Sequence, residues 1–225
     1  MRQAINHAIN REELVKTIFL GMATPEKSCI APVNYGYKHD LKPYEYSPEK
    51  AKELLKRAGL PQGFDVDFMV MAESRPYLPE PSKAAELIQS YLAAVGIKAK
   101  LVRYEWATFL KKMGAGEFDI TQIGNCSSTG DPDTAIFPIL TSNARGNRAR
   151  WKNAEFDEIV RKARRTFDKA ERVKLYLKAQ EIWAKDSPWV PVASIKAQRC
   201  YNKRLKNVPL RPSSFNSFEM VWKKK

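Results

Sequence analysis

The sequence predicts an α/β fold, a mixed β-sheet covered by helices. Two segments, 64–71 and 97–104, have strand patterning, and each follows an amphipathic helix. A third helix-to-strand succession, 106–123, leads directly into a polar loop, 125–133. With 225 residues, 44% hydrophobic and 28% charged, the chain has enough apolar material for one large domain or two small ones.

The first helical pattern runs over 2–9 and 11–20, as a pair or as one interrupted helix. Asn10 is placed to cap the second half, and Glu13 answers it three residues later. Leu14, Val15, Ile18 and Phe19 form the stripe to be buried. Residues 24–46 make a loop rich in Pro and Tyr, including Tyr35, Tyr37, Tyr44 and Tyr46; it is too long for a simple connector and is expected to pack over the domain surface. Ser47 and Pro48 open the next helix, Leu54 and Leu55 face inward, and Gly59 stops it. The strand 64–71 alternates Phe64, Val66, Phe68 and Val70. A loop, 72–81, separates it from a helix over 82–95 and a strand over 97–104.

From Trp106 to Met113 the spacing is helical, Gly114 and Gly116 can end it, and the apolar run 118–123 suits a short covered strand. A polar loop after such a strand is a common ligand position in open α/β sheets. Beyond Asp133 a short helix to Leu140 is expected, with Asp133 as its cap. A flexible stretch, 142–150, two long helices, 154–167 and 169–185, and a strand, 189–195, complete the pattern. Asp186, Ser187 and Pro188 separate the last two.

The formal charge of +14 is uneven: residues 196–225 hold nine Lys or Arg against Glu219 alone, so this tail carries +8. The cations of 160–172 are interleaved with Asp168 and Glu171, as on the wet face of a helix. Nucleic acid is therefore not an expected partner. Cys29, Cys126 and Cys200 are far apart and form no CxxC pair, and His7 and His39 are the only histidines. This opposes a zinc site and a disulfide scaffold; one disulfide with one free thiol stays open. Cys126 reads as a small packing residue and not as a nucleophile. No apolar run reaches the roughly 18 residues of a membrane span, and 1–9 lacks signal-peptide character. No catalytic motif is present: there is no GxSxG, P-loop or GxGxxG, and Asp131 and Asp133 flank a proline as in a turn. Neither cofactor nor enzyme activity is expected.

Six segments occur in a telling order: MRQAINHAINREELVKTIFLGMA, YEYSPEKAKELLKRAGLPQGF, VGIKAKLVRYEWATFL, GEFDI, GDPD and AERVKLYLKAQEIWAKDSPWVPV. Together they resemble the C-terminal part of the dipeptide- and oligopeptide-binding (family 5) solute-binding proteins of bacterial ABC importers. The resemblance runs over nearly the whole chain. It implies a periplasmic-binding-protein-like lobe over 1–192. Residues 193–225 would then cross the hinge and end, at 218–222, in a strand of the absent first lobe.

What the resemblance implies about the site can be placed residue by residue. Arg75 and Tyr77, in an Arg-Pro-Tyr loop, stand where dipeptide-type members grip a ligand carboxylate, and a guanidinium fork suits both carboxylate oxygens. Otherwise Arg75 is a surface arginine beside a proline turn. Trp106 matches a tryptophan that walls the side-chain pocket, with core packing as the competing role. Asn125 stands where peptide binders usually have Trp. Ser128 stands where they have the Asp that pairs with the peptide ammonium, and a buried ammonium without a carboxylate costs several kcal/mol. Ser127, Ser128 and Thr129 instead suggest a glutathione-like or other anionic solute, with Asp131 within reach of an amine if the loop shifts.

The resemblance thus implies a non-catalytic substrate-binding component for peptides or peptide-like solutes. Its partners would be a membrane ABC permease and the missing N-terminal lobe, and the parent protein would be periplasmic. The alternatives are a ligand-sensing regulatory module of the same fold and a truncated product without independent function.

Overall fold

The computed structural model describes residues 1–126, 129–196, 198, 200–209 and 218–224. Helices α1 (Arg2–Ala8) and α2 (Arg11–Ile18) are separated at Ile9 and Asn10. The Asn10 side chain accepts from Glu13 N at 3.1 Å and donates to the Glu13 carboxylate at 3.2 Å, a reciprocal cap. Leu14, Val15, Ile18 and Phe19 are buried as their spacing predicts. Strand β1 (Ala23–Pro25) lies within the long tyrosine-rich segment, and α3 (Pro48–Arg57) begins on Ser47, whose hydroxyl accepts from Lys50 N at 3.2 Å.

The central unit is β2 (Phe64–Met71), α4 (Pro81–Ala93), β3 (Ile97–Tyr104), α5 (Trp106–Ala115) and β4 (Ile120–Thr121). Its strand order is β3-β2-β4, all parallel. Because β2 is flanked on both sides, its second half, 68–71, is buried on both faces, while its first half alternates. Where β2 and β3 begin, the turns touch through Gly63 and Gly96, both at positive φ. A Cβ on Gly63 would stand 1.8 Å from the Gly96 carbonyl oxygen, so this approach requires glycine.

Helices α6 (Pro132–Leu140), α7 (Ala154–Arg165) and α8 (Lys169–Asp186) follow, then β5 (Ala193–Ile195), β6 (Leu205–Lys206) and β7 (Trp222–Lys223). β5 pairs antiparallel with β1, and β6 with β7. The mixed character of the α/β fold therefore arises between a parallel sheet and separate antiparallel pairs.

Several expected elements differ. The strand expected over 118–123 contracts to the two residues of β4, half-buried at the sheet edge, with Ile123 45% exposed. Only the last three residues of 189–195 form a strand; Trp189, Val190 and Val192 pack as irregular chain against the two cores. At the C-terminus the strand is Trp222–Lys223, and Phe218 lies before it. The cap of α6 is Asp131, which accepts from Asp133 N at 2.8 Å, and not Asp133.

Two hydrophobic clusters form. One joins α1 to α5 with β2 and β3, and its largest buried side chains include Phe68, Met71, Leu92, Ile97 and Phe109. The other joins α6, α7 and α8 with Ile30, Tyr37 and Leu41, so the tyrosine-rich segment supplies core as well as surface. Polar contacts span the two. Asn6 Nδ2 donates to Ser187 Oγ at 2.6 Å. The Arg11 guanidinium donates to the carbonyls of Pro191 (2.6 Å), Asn6 (3.0 Å) and Tyr44 (3.2 Å) and to the Asn6 side chain (2.5 Å).

Candidate ligand site

Parallel pairing puts the C-terminal ends of β2, β3 and β4 at one edge, so the segments that follow them converge. Ala72 N donates to Tyr104 O at 2.9 Å, continuing the β2 to β3 ladder one step into the loops. After β2 the chain makes a tight turn in which Arg75 and Leu78 exchange backbone hydrogen bonds of 3.0 and 2.9 Å. Pro76 sets the corner, the Ser74 hydroxyl donates to Pro79 O at 2.6 Å, and buried Leu78 roots the turn in the first core. This fixes Arg75 and Tyr77 beside the start of α5.

Trp106 is the first residue of α5. Its backbone N–H donates to Glu73 Oε1 at 3.2 Å, and Glu105 caps the helix through Ala107 N at 2.8 Å and Thr108 N at 2.6 Å. The Arg75 guanidinium carbon lies 3.7 Å from the Trp106 ring centroid, and Phe109 lies nearly parallel to the indole, at 5.8 Å and 11°. Arg75 Nε is buried without a hydrogen-bond partner, and no acid lies within ion-pair distance of this arginine among the described residues. The site thus holds an uncompensated cation on an aromatic plate. Burial pushes the Tyr77 hydroxyl up, against the Arg75 charge, so it stays protonated and able to donate.

The loop after β4 reaches the same edge. Gln122 Nε2 donates to Pro81 O at 2.6 Å, and Gly124 lies against the Tyr77 ring, where a Cβ would come within 2.3 Å of Cδ2. Gly124, Glu73 and Phe109 are site-shaping residues that sequence reading missed; the close approach at Gly124 leaves no spacing signature, whereas Phe109 follows Trp106 at helical i, i+3 spacing. Asn125, Cys126 and Thr129 are exposed, so Cys126 is not the packing residue expected. Ser127 and Ser128 lie outside the described residues.

Asp131 faces elsewhere. Its carboxylate accepts from Arg172 Nη1 at 2.7 Å and Nη2 at 3.0 Å and from the Tyr35 hydroxyl at 2.7 Å, besides capping α6. Asp133 accepts from Tyr176 Oη at 3.0 Å and pairs with Arg164 Nε at 3.2 Å. Both aspartates anchor α6 to the α7–α8 pair. Two cavities, of about 400 and 450 Å³, lie away from Arg75: one over Asp65, Asp67, Lys98, Lys100 and Asp119, the other beside Tyr35, Phe167 and Arg172. No group of His, Cys, Asp and Glu placed to hold a metal ion occurs among the described residues.

Residues 1–147 match the model of the bacterial extracellular solute-binding proteins, family 5 Middle. The chain belongs to this family. It is 35% identical over 98% of its length to the dipeptide-binding protein of Escherichia coli strain K12, of which it covers 42%. Among solved structures it is similar to HbpA2 from Haemophilus parasuis, with a TM-score of 0.89, 37% identity, and coverage of 100% of this chain and 45% of that one. It is also similar to the periplasmic binding protein DppA from Helicobacter pylori in complex with the peptide STSA, with a TM-score of 0.85, 34% identity, and coverage of 100% and 44%. The chain thus spans less than half the length of the relatives it matches. Family 5 proteins are extracellular solute-binding proteins, a binding class and not a catalytic one.

Proposed function

We propose that this chain is a solute-binding lobe of an ABC importer's substrate-binding component, taking a peptide or peptide-like solute by its carboxylate, without catalysis. The observation that carries this is Arg75. A guanidinium with an unpartnered, buried Nε and, among the described residues, no acid within ion-pair distance, at the C-terminal edge of a parallel sheet, has donors to spare for an anion. Tyr77 adds a neutral hydrogen bond, and we assign Asn125, Ser127, Ser128 and Thr129, in the sequence after β4, to the same solute. Asp131 is held by Arg172 and does not meet the solute. Because Ser128 stands where peptide binders carry the Asp that meets the ammonium, an anionic, glutathione-like peptide suits the chain better than a dipeptide held by its ammonium.

Residues 1–192 form this lobe in our reading, and 193–225 lead into the partner lobe, which closes over the solute to present both lobes to a membrane permease. The parent protein acts in the periplasm or at the cell surface. Dipeptide and peptide ligands in the relatives' names support the solute class.

Native mass spectrometry of the purified chain, followed by denaturation, tests this. A peptide or related carboxylate released from the wild type and absent from Arg75→Met is the expected result. A solute carried equally by both chains would overturn the assignment of Arg75.

A further inference from the structure

Three flat groups run outward from the core at the site: Phe109, fully buried, then Trp106, half-buried, then the Arg75 guanidinium, 3.7 Å from the indole centroid. Phe109 and Trp106 are successive inward positions of one helical turn, three residues apart on α5, so the plate under Arg75 is rooted in packed helix and not in loop. Stacking uses the flat face of a guanidinium, whereas its N–H donors point outward in its own plane. An arginine lying on an aromatic ring therefore keeps its fork free, and a carboxylate can meet it edge-on while the stack persists. Among the described residues nothing else orients this guanidinium, since Arg75 forms no ion pair and its Nε has no acceptor. Glu73, the near acid in the same loop, is engaged by the backbone of Trp106 at 3.2 Å.

We propose that Trp106 is a positioning residue for Arg75: the indole presets the guanidinium, so that affinity for any carboxylate solute depends on Trp106 whatever side chain the solute carries. This rests on the reading of Arg75 as the carboxylate anchor and differs from a role for Trp106 as the wall of a side-chain pocket. A wall contributes only when the solute has a side chain to place against it. A plate contributes even to a bare carboxylate.

Acetate is the probe that separates the two, since it has a carboxylate and no side chain. In nitrogen-edited NMR of the chain, with the Arg75 Nε–Hε resonance assigned by its loss in Arg75→Lys, the wild type should show an upfield ring-current displacement and respond to acetate. Trp106→Leu should lose the displacement and bind acetate about fivefold more weakly, the scale of one cation–π contact. Trp106→Met, which also lacks a flat face but fills the site differently, should behave alike and serves if the leucine variant does not fold. Trp106→Phe, which keeps a smaller plate, should recover most of the affinity. Acetate affinity unchanged in the Leu or Met variant would overturn the inference while leaving Arg75 as anchor. No response of Arg75 to acetate in the wild type would overturn the anchor and the inference together.

Discussion

Asp131 is a carboxylate met by four donors: two from Arg172, the Tyr35 hydroxyl and Asp133 N. Burial pushes its carboxyl up, but the hydrogen bonds from Arg172 and Tyr35 and the Arg172 charge outweigh this, and its pKa falls below the usual 3.8. In the acid window between the depressed folded pKa and 3.8, the unfolded chain binds the proton more readily, so stability rises with pH there. The contribution is fully present above the unfolded value and is lost as pH falls through the folded one. Urea denaturation of Asp131→Asn and wild type from pH 2 to 6 should show the variant less stable by about 2 kcal/mol at pH 6, with the gap closing below pH 4. A constant gap would contradict the ion pair as its source. Arg75 is the opposite case at the same scale. It has a stacking partner and, among the described residues, no charge partner, which in our proposal leaves it to the solute while Asp131 is held by Arg172.

At the scale of elements, a buried arginine ties the α1–α2 break to distant parts of the chain. Burial lowers the Arg11 pKa to about 10, against the opposing effect of Tyr44, and the side chain remains charged at neutral pH. Its donors join the α1–α2 break to the chain at Pro191, just before β5. Arg11→Met strips several carbonyls of their donor and should cost about 3 kcal/mol, measured as a lower urea midpoint with unchanged slope. Stability within about 0.5 kcal/mol of wild type would show that these carbonyls find other donors. Elements were legible in sequence where local chemistry decides them. Asn10 and Ser47 announce their helices because such residues cap well, and β2 and β3 have the bounds that their apolar patterns predict. Glu105 was not read as a cap because glutamate rarely fills that role. β4 was read too long because its extent is set by two pairings, Phe68 with Ile120 and Met69 with Thr121, and not by its own apolarity. In the site, the Arg-Pro-Tyr loop and Trp106 were visible as residues, but their stacking, and the glycine that Tyr77 lies on, are long-range facts that no spacing encodes.

At the scale of the molecule, two hydrophobic cores share one chain, and composition could bound their total but not their number. Pairing with the first core persists to Lys196, whose N–H donates to Met22 O at 2.9 Å. Beyond it, β6 and β7 pair through two residues each, with Tyr201, Met220 and Trp222 exposed. So short an isolated ribbon is marginal in water. Brief trypsin treatment should therefore cut at Lys203, Arg204 or Lys206 before any site within 1–195, read by intact-mass analysis. First cleavage inside α7 or α8 would contradict this order.

Whether Arg75 takes a solute carboxylate is decided by calorimetric titration of the chain with a dipeptide and with its C-terminal amide, at up to millimolar concentration. The free acid should bind at least tenfold more tightly than the amide, at least the roughly 1.4 kcal/mol of one decade, and Arg75→Met should erase the difference. Acid and amide binding alike to the wild type, or an unchanged preference in Arg75→Met, would contradict this role of Arg75.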